Sequence, residues 1–145
     1  MRLTAETVMT GDPVTIEATD SIVHAARLMR DYDIGDLIVT DRGHVVGIVT
    51  DRDIVIRGIA DSRGVETTHV GEVCSRDVVT VGPDEELDQV VAIMCEHAVR
   101  RMPVISGGRV VGVISLGDLA REDGELALTD AKSVLTEISL AQPNR

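Results

Sequence analysis

Shifted by 65 residues, this chain lies on itself without a gap from Val8/Val73 to Asp53/Asp118. Identical pairs include Asp12/Asp77, Val14/Val79, Thr15/Thr80, Met29/Met94, Val39/Val104, Gly43/Gly108, Val45/Val110, Val46/Val111 and Gly47/Gly112. Conservative pairs include Ile16/Val81, Ile22/Leu87, Thr50/Ser115 and Ile54/Leu119. A repeat held in one register over that span requires that whatever unit one half forms, the other forms too.

Each half predicts a short helical turn (Ala5–Met9; Val70–Cys74), then a strand (Val14–Ile16; Val78–Val81). Thr19-Asp20-Ser21 and Pro83-Asp84-Glu85 are helix-start signals. The stripe Ile22, Ala25, Ala26, Met29, matched by Leu87, Val90, Val91, Met94, is that of a helix packed on a sheet. Two strands follow in each half, 37–40 with 44–49 and 102–105 with 109–114. Asp41-Arg42-Gly43 and Ser106-Gly107-Gly108 supply hairpin turns. A last helix begins at Thr50-x-x-Asp53 and at Ser115-x-x-Asp118. The expected fold class is α+β, two β-α-β-β-α repeats at 1–60 and 70–122 around a linker at 61–69. A C-terminal helical tail is expected over 123–145, carried by Leu126, Leu128, Val134, Leu135, Ile138 and Leu140.

The doubled Thr/Ser-x-x-Asp segment has two compatible readings. As a capping box, the hydroxyl accepts from a free backbone N–H and the acid sits at the positive helix end. As a nucleotide seat, N–H groups and hydroxyl meet a phosphate while the carboxylate accepts from the two ribose hydroxyls.

Composition narrows the partners. The formal net charge of −11 opposes binding to nucleic-acid backbone or to an anionic membrane surface. Tyr32 is the only aromatic residue, so a base-stacking platform is excluded and the core must be aliphatic. No apolar run resembles a secretion signal or a membrane span, and a cytoplasmic location is expected. Cys74 and Cys95 lack zinc-ligand spacing and read as ordinary thiols, with a disulfide left open. His24, His44, His69 and His97 are scattered, so no metal site is expected. No catalytic Ser/His/Asp set or Walker-type P-loop is present, which argues against a nucleotide hydrolase or a dehydrogenase remnant.

Val8-Met9-Thr10, the Val14-Thr15 strand entry, Arg101-Met102-Pro103-Val104 and the doubled Gly-h-h-Thr/Ser-x-x-Asp together make residues 4–122 resemble a tandem of cystathionine-β-synthase (CBS) domains, a Bateman module. Thr50 to Arg57 is also similar to small stand-alone bacterial proteins of this type. The resemblance implies two repeats related by a pseudo-twofold axis and a disc-shaped homodimer. It implies clefts that take AMP, ADP, ATP or S-adenosylmethionine, no required cofactor and no catalysis. Carried over by position, one site would use Val14 and Thr15, with Thr50 and Arg52 for phosphate and Asp53 for ribose. The other would use Val79, Thr80, Ser115 and Asp118, with Arg100 or Arg101 toward phosphate. Asp36-Leu37-Ile38 stands where the second half has Arg101-Met102-Pro103, and Leu116-Gly117 where the first has Asp51-Arg52. The first site, where Arg52 adjoins Asp53, is favoured. The expected function is a non-enzymatic adenine-nucleotide sensor; the alternative is a homodimeric interaction module that binds no nucleotide.

Overall fold

In the computed structural model, which describes residues 3–121, the two repeats fold alike but exchange their first helices. The chain runs α1 (Ala5–Val8), β1 (Thr10–Gly11), β2 (Thr15–Glu17), α2 (Ile22–Tyr32), β3 (Asp36–Asp41), β4 (His44–Thr50) and α3 (Asp51–Asp53). A π-helical segment (Ile54–Ile59) continues α3, and α4 (Val70–Val73), α5 (Leu87–His97), β5 (Arg101–Ser106), β6 (Arg109–Ser115) and α6 (Leu116–Arg121) follow. The class is α+β, as expected. Two compact units form: the first-repeat unit is Val14–Val78, and the second-repeat unit joins the described residues before Val14 to those from Val79 onward.

Helix α1 therefore belongs to the second-repeat unit and α4 to the first, and the same three backbone bonds make each graft. Ala5 N donates to Glu85 O (2.8 Å) and Glu6 N to Pro83 O (3.0 Å), while Leu87 N donates to Leu3 O (3.0 Å). In the first-repeat unit Val70 N donates to Asp20 O (2.8 Å), Gly71 N to Ala18 O (2.9 Å) and Ile22 N to Thr68 O (3.0 Å). Ala5, Val8, Val70 and Val73 are all buried, so each four-residue helix is fixed by apolar burial in the unit it joins rather than by its own marginal helicity.

In the first-repeat unit β2 pairs parallel with β3, and β3 antiparallel with β4. In the second, β5 pairs antiparallel with β6, whose other neighbour is β1 (Thr10↔Val113). Both hairpins close through two residues of positive φ, Arg42 and Gly43 (53° and 85°) and Gly107 and Gly108 (60° and 80°). That is the type I′ geometry whose twist matches the strands. The register slips at the same place in both, between Val39 and Thr40 and between Val104 and Ile105.

Four local expectations need correcting. The strand over 78–81 shrinks to a single parallel bridge, Val81↔Val104. Val81 N donates to Pro103 O and Ile105 N to Val81 O, but the next ladder bond would need an N–H at Pro103, which proline lacks. Ile38 holds the equivalent place in β3, and β2 is a full strand there, starting at Thr15. Strand β1 was not expected. Of the α2 stripe, Ile22, Ala25 and Met29 are buried while Ala26 is exposed. The helix after Thr50 turns π after three residues, with Ala60 N donating to Val55 O and Arg63 N to Gly58 O. The expected tail helix lies outside the described residues.

Each unit has an aliphatic core. Ile22, Met29, Leu37, Val39 and Val49 centre one; Val90, Met94, Met102, Val104 and Ile114 centre the other. Tyr32 is 59% exposed, leaving both cores free of aromatic rings.

Candidate functional site

Strand β4 delivers Thr50 as its last residue and as the cap of α3. Thr50 Oγ1 accepts from Asp53 N (3.0 Å), and Asp53 Oδ2 accepts from Thr50 N (3.0 Å). Strand β6 builds the same ring: Ser115 Oγ accepts from Asp118 N (3.2 Å) and Asp118 Oδ2 accepts from Ser115 N (2.9 Å). The capping-box reading is thus literal in both repeats. Each cap uses Oδ2 and leaves Oδ1 to a different neighbour.

That neighbour differs between the repeats. Asp118 Oδ1 accepts from the Thr10 hydroxyl at 3.4 Å, and Asp118 is 6% exposed. Asp53 Oδ1 lies 3.9 Å from Arg57 Nε, and the Asp53 side chain is 12% exposed. Neither carboxylate is turned out into bulk water.

The strand register assembles the rest. Thr15 pairs with Ile38, Ile38 with Ile48, and Asp36 with Thr50, so the starts of β2 and β3 and the end of β4 share one sheet edge. Thr15 is exposed there, whereas Val14 packs against the core. In the second-repeat unit Arg101 pairs with Ser115, while Thr80 is exposed just before the Val81 bridge and Val79 packs against the core. Asp51 N donates to Gly35 O (3.0 Å) and Leu116 N to Arg100 O (3.1 Å), tying each strand entry to its cap. Arg52 is exposed on α3, in the same turn as Thr50 and Asp53, and its backbone N–H donates to Asp51 Oδ1 (2.8 Å).

Two residues at the rings were not singled out from sequence. Arg57 donates from Nη1 to Val73 O (3.3 Å) and Cys74 O (3.4 Å), so it joins the C-terminal end of α4 to the Asp53 ring. Its spacing of four from Asp53 was the available signal. Thr10 is 108 residues from Asp118, and no local pattern announces that contact.

Cys74, which follows α4, is buried. Burial pushes its thiol above the ordinary range; Arg76 and Arg57 oppose this, and the Asp53 carboxylate adds to it. Cys74 and Cys95 are both free thiols. Among the described residues no three His, Cys, Asp or Glu side chains cluster to hold a metal ion, and no helix is long and apolar enough to cross a membrane.

A family model for the CBS domain matches residues 5–58 and again 70–125. The CBS domain-containing protein YhcV of Bacillus subtilis is 35% identical over 131 residues, covering 90% of this chain and 91% of that protein. Hypoxic response protein 1 of Mycobacterium tuberculosis is 34% identical over 140 residues, 95% of this chain and 98% of the relative. Among solved structures, that of Hypoxic Response Protein I with two coordinated zinc ions has a TM-score of 0.75 at 34% identity, covering 82% of this chain and 98% of that one. The CBS domain pair of protein MJ0100 in complex with 5′-methylthioadenosine and S-adenosyl-L-methionine has a TM-score of 0.71 at 28% identity, covering 83% and 95%.

Proposed function

We propose a function from one premise: this chain belongs to the CBS-domain family and carries two copies of the domain. As a regulatory pair it binds an adenosyl ligand (AMP, ADP, ATP or S-adenosylmethionine) without transforming it, and signals the bound state to a partner. A cytoplasmic location is part of this proposal.

The observation that carries the reading is the duplicated ring. In each repeat the cap occupies Oδ2 of the carboxylate, while Oδ1 lies 3.9 Å from Arg57 Nε in the first and 3.4 Å from the Thr10 hydroxyl in the second. A carboxylate in that place can accept from the vicinal hydroxyls of a ribose. Asp53 and Asp118 take that role here. The backbone at Val14-Thr15 and at Val79-Thr80 meets the base, held between aliphatic side chains in a chain with Tyr32 as its one aromatic residue. Thr50 with Arg52 in the first repeat, and Ser115 with Arg100 and Arg101 in the second, meet the substituent carried on the ribose. A ligand that binds one arrangement of the chain better than another shifts the population toward it, and that shift is what a partner reads.

Calorimetric titration of AMP, ATP and S-adenosylmethionine, with Asp53→Ala and Asp118→Ala as controls, tests the reading. Saturable heat that one or both variants lose is expected. No heat and no thermal shift at millimolar ligand overturns it.

A second reading has its own support. Val55, Ile56 and Ile59 on the π-helical segment are 50%, 47% and 57% exposed, an apolar set suited to a second copy of the chain. A homodimer whose stability is indifferent to nucleotides, seen by light scattering and melting, favours this interaction module over the sensor.

A further inference from the structure

The two rings are alike, but the residues that flank them carry opposite charge. In β3, Asp36 pairs with Thr50; in β5, Arg101 pairs with Ser115. Residues directly opposite in an antiparallel pair project from the same face of the sheet, with Cβ atoms roughly 5 Å apart. The register thus sets an acidic residue opposite the first ring hydroxyl residue and a basic one opposite the second. The neighbouring positions deepen the contrast. Gly35 and Arg100, equivalent in the repeat, each accept a backbone bond from the first helical residue, Asp51 or Leu116. Around the first ring stand Asp36 and Asp51 with Arg52 as a cation; around the second, Arg100 and Arg101. Arg57 adds a cation near the first ring, but its guanidinium is committed to Val73 O, Cys74 O and the Asp53 carboxylate.

We propose that Asp36 and Arg101 are specificity-determining residues that sort adenosyl ligands by charge between the two repeats. The Ser115/Asp118 ring takes the phosphorylated ligand. The Thr50/Asp53 ring takes an adenosyl group without phosphate, a thioether or a sulfonium. This rests on the adenosyl reading above and departs, for phosphorylated ligands, from the sequence-based preference for the first site, which weighed Arg52 beside Asp53. The cause is electrostatic: a phosphate brought beside Asp36 meets a like charge, and the same phosphate beside Arg101 meets a partner for charge-assisted hydrogen bonds.

The test uses the full chain with two probes, AMP and 5′-methylthioadenosine, each followed by calorimetry and by hydrogen exchange. AMP should slow exchange at amides 115–118 and 5′-methylthioadenosine at amides 50–53. Arg101→Gln should weaken AMP by about three- to tenfold, the scale of one partly screened charge contact, and leave 5′-methylthioadenosine unchanged. Asp36→Asn should bring AMP protection to amides 50–53. Both substitutions lie at strand ends outside the buried cores, and their melting temperatures report that the fold is kept. Protection by AMP at 50–53 in the unmodified chain, or equal effects of Arg101→Gln on both probes, overturns the charge sorting while leaving the adenosyl reading standing. Heat with one probe and none with the other overturns the sorting alone; absence of heat with both probes sinks the adenosyl reading, and the sorting with it.

Discussion

Thr10 and Asp118, 108 residues apart in the chain, are joined by a hydrogen bond of 3.4 Å from the Thr10 hydroxyl to Asp118 Oδ1. The bond exists because β1 pairs with β6, which places Thr10 opposite Val113 at the strand that carries Ser115. The exchanged N-terminal segment therefore contributes a donor to the second ring.

Removing the hydroxyl while keeping the shape tests the link. Thr10→Val is expected to lower stability by about 0.5–1.5 kcal/mol, the net worth of one such bond. Urea unfolding of the two proteins side by side checks it. An unchanged midpoint would mean that strand pairing alone holds the segment.

The repeated glycines face the same exchanged segments. A Cβ at Gly47 would stand 2.6 Å from Ser75 O and 2.9 Å from Cys74 Sγ. At Gly112 it would stand 2.9 Å from Thr10 O and press against the Met9 side chain. Backbone on the far side leaves little to give way. Gly47→Ala and Gly112→Ala should each cost about 1–3 kcal/mol in chemical denaturation. Gly82→Ala, with nothing within 4 Å of the new carbon, should change stability by less than about 0.5 kcal/mol.

Helices α2 and α5 both end in the left-handed region, at Asp33 (φ 54°) and Ala98 (φ 53°). Aspartate tolerates that conformation better than alanine, because its short polar side chain bonds locally. Ala98→Gly should therefore stabilise the protein by about 0.5–1 kcal/mol, the relief of strain being partly offset by a more flexible unfolded chain. Asp33→Gly should gain less. Thermal melts rank the two.

Cys74 gives the fold an alkaline sensitivity. Its thiol is raised above the ordinary 9.0, chiefly by burial. Below 9.0 the folded and unfolded chains both keep that proton, and the contribution to stability is fully present. As pH climbs past 9.0 the unfolded chain sheds it first, so stability falls until the folded thiol ionises as well. Urea midpoints at alkaline pH should decline less in Cys74→Ala than in the parent, measured relative to each protein's value at neutral pH.

Much of this molecule was legible in its sequence, because the governing interactions are short-range. The hairpins follow from Arg42-Gly43 and Gly107-Gly108, which can hold positive φ where the strands must reverse. Helix α2 follows from the Ser21 cap and the Ile22, Ala25, Met29 spacing. The Thr50/Asp53 and Ser115/Asp118 rings close within four residues, so their chemistry could be read from the letters alone. The exchange of α1 and α4 could not. A four-residue helix has no stability of its own, and which unit buries Ala5 or Val70 is decided only when a full-sized apolar surface offers itself. The shortened strand before α5 waited on strand register, which alone shows that the proline of β5 falls where a donor is needed. The contrast of Asp36 with Arg101 was visible as letters. That each faces its ring hydroxyl was fixed by hydrogen bonding between strands, a long-range choice that no local pattern encodes.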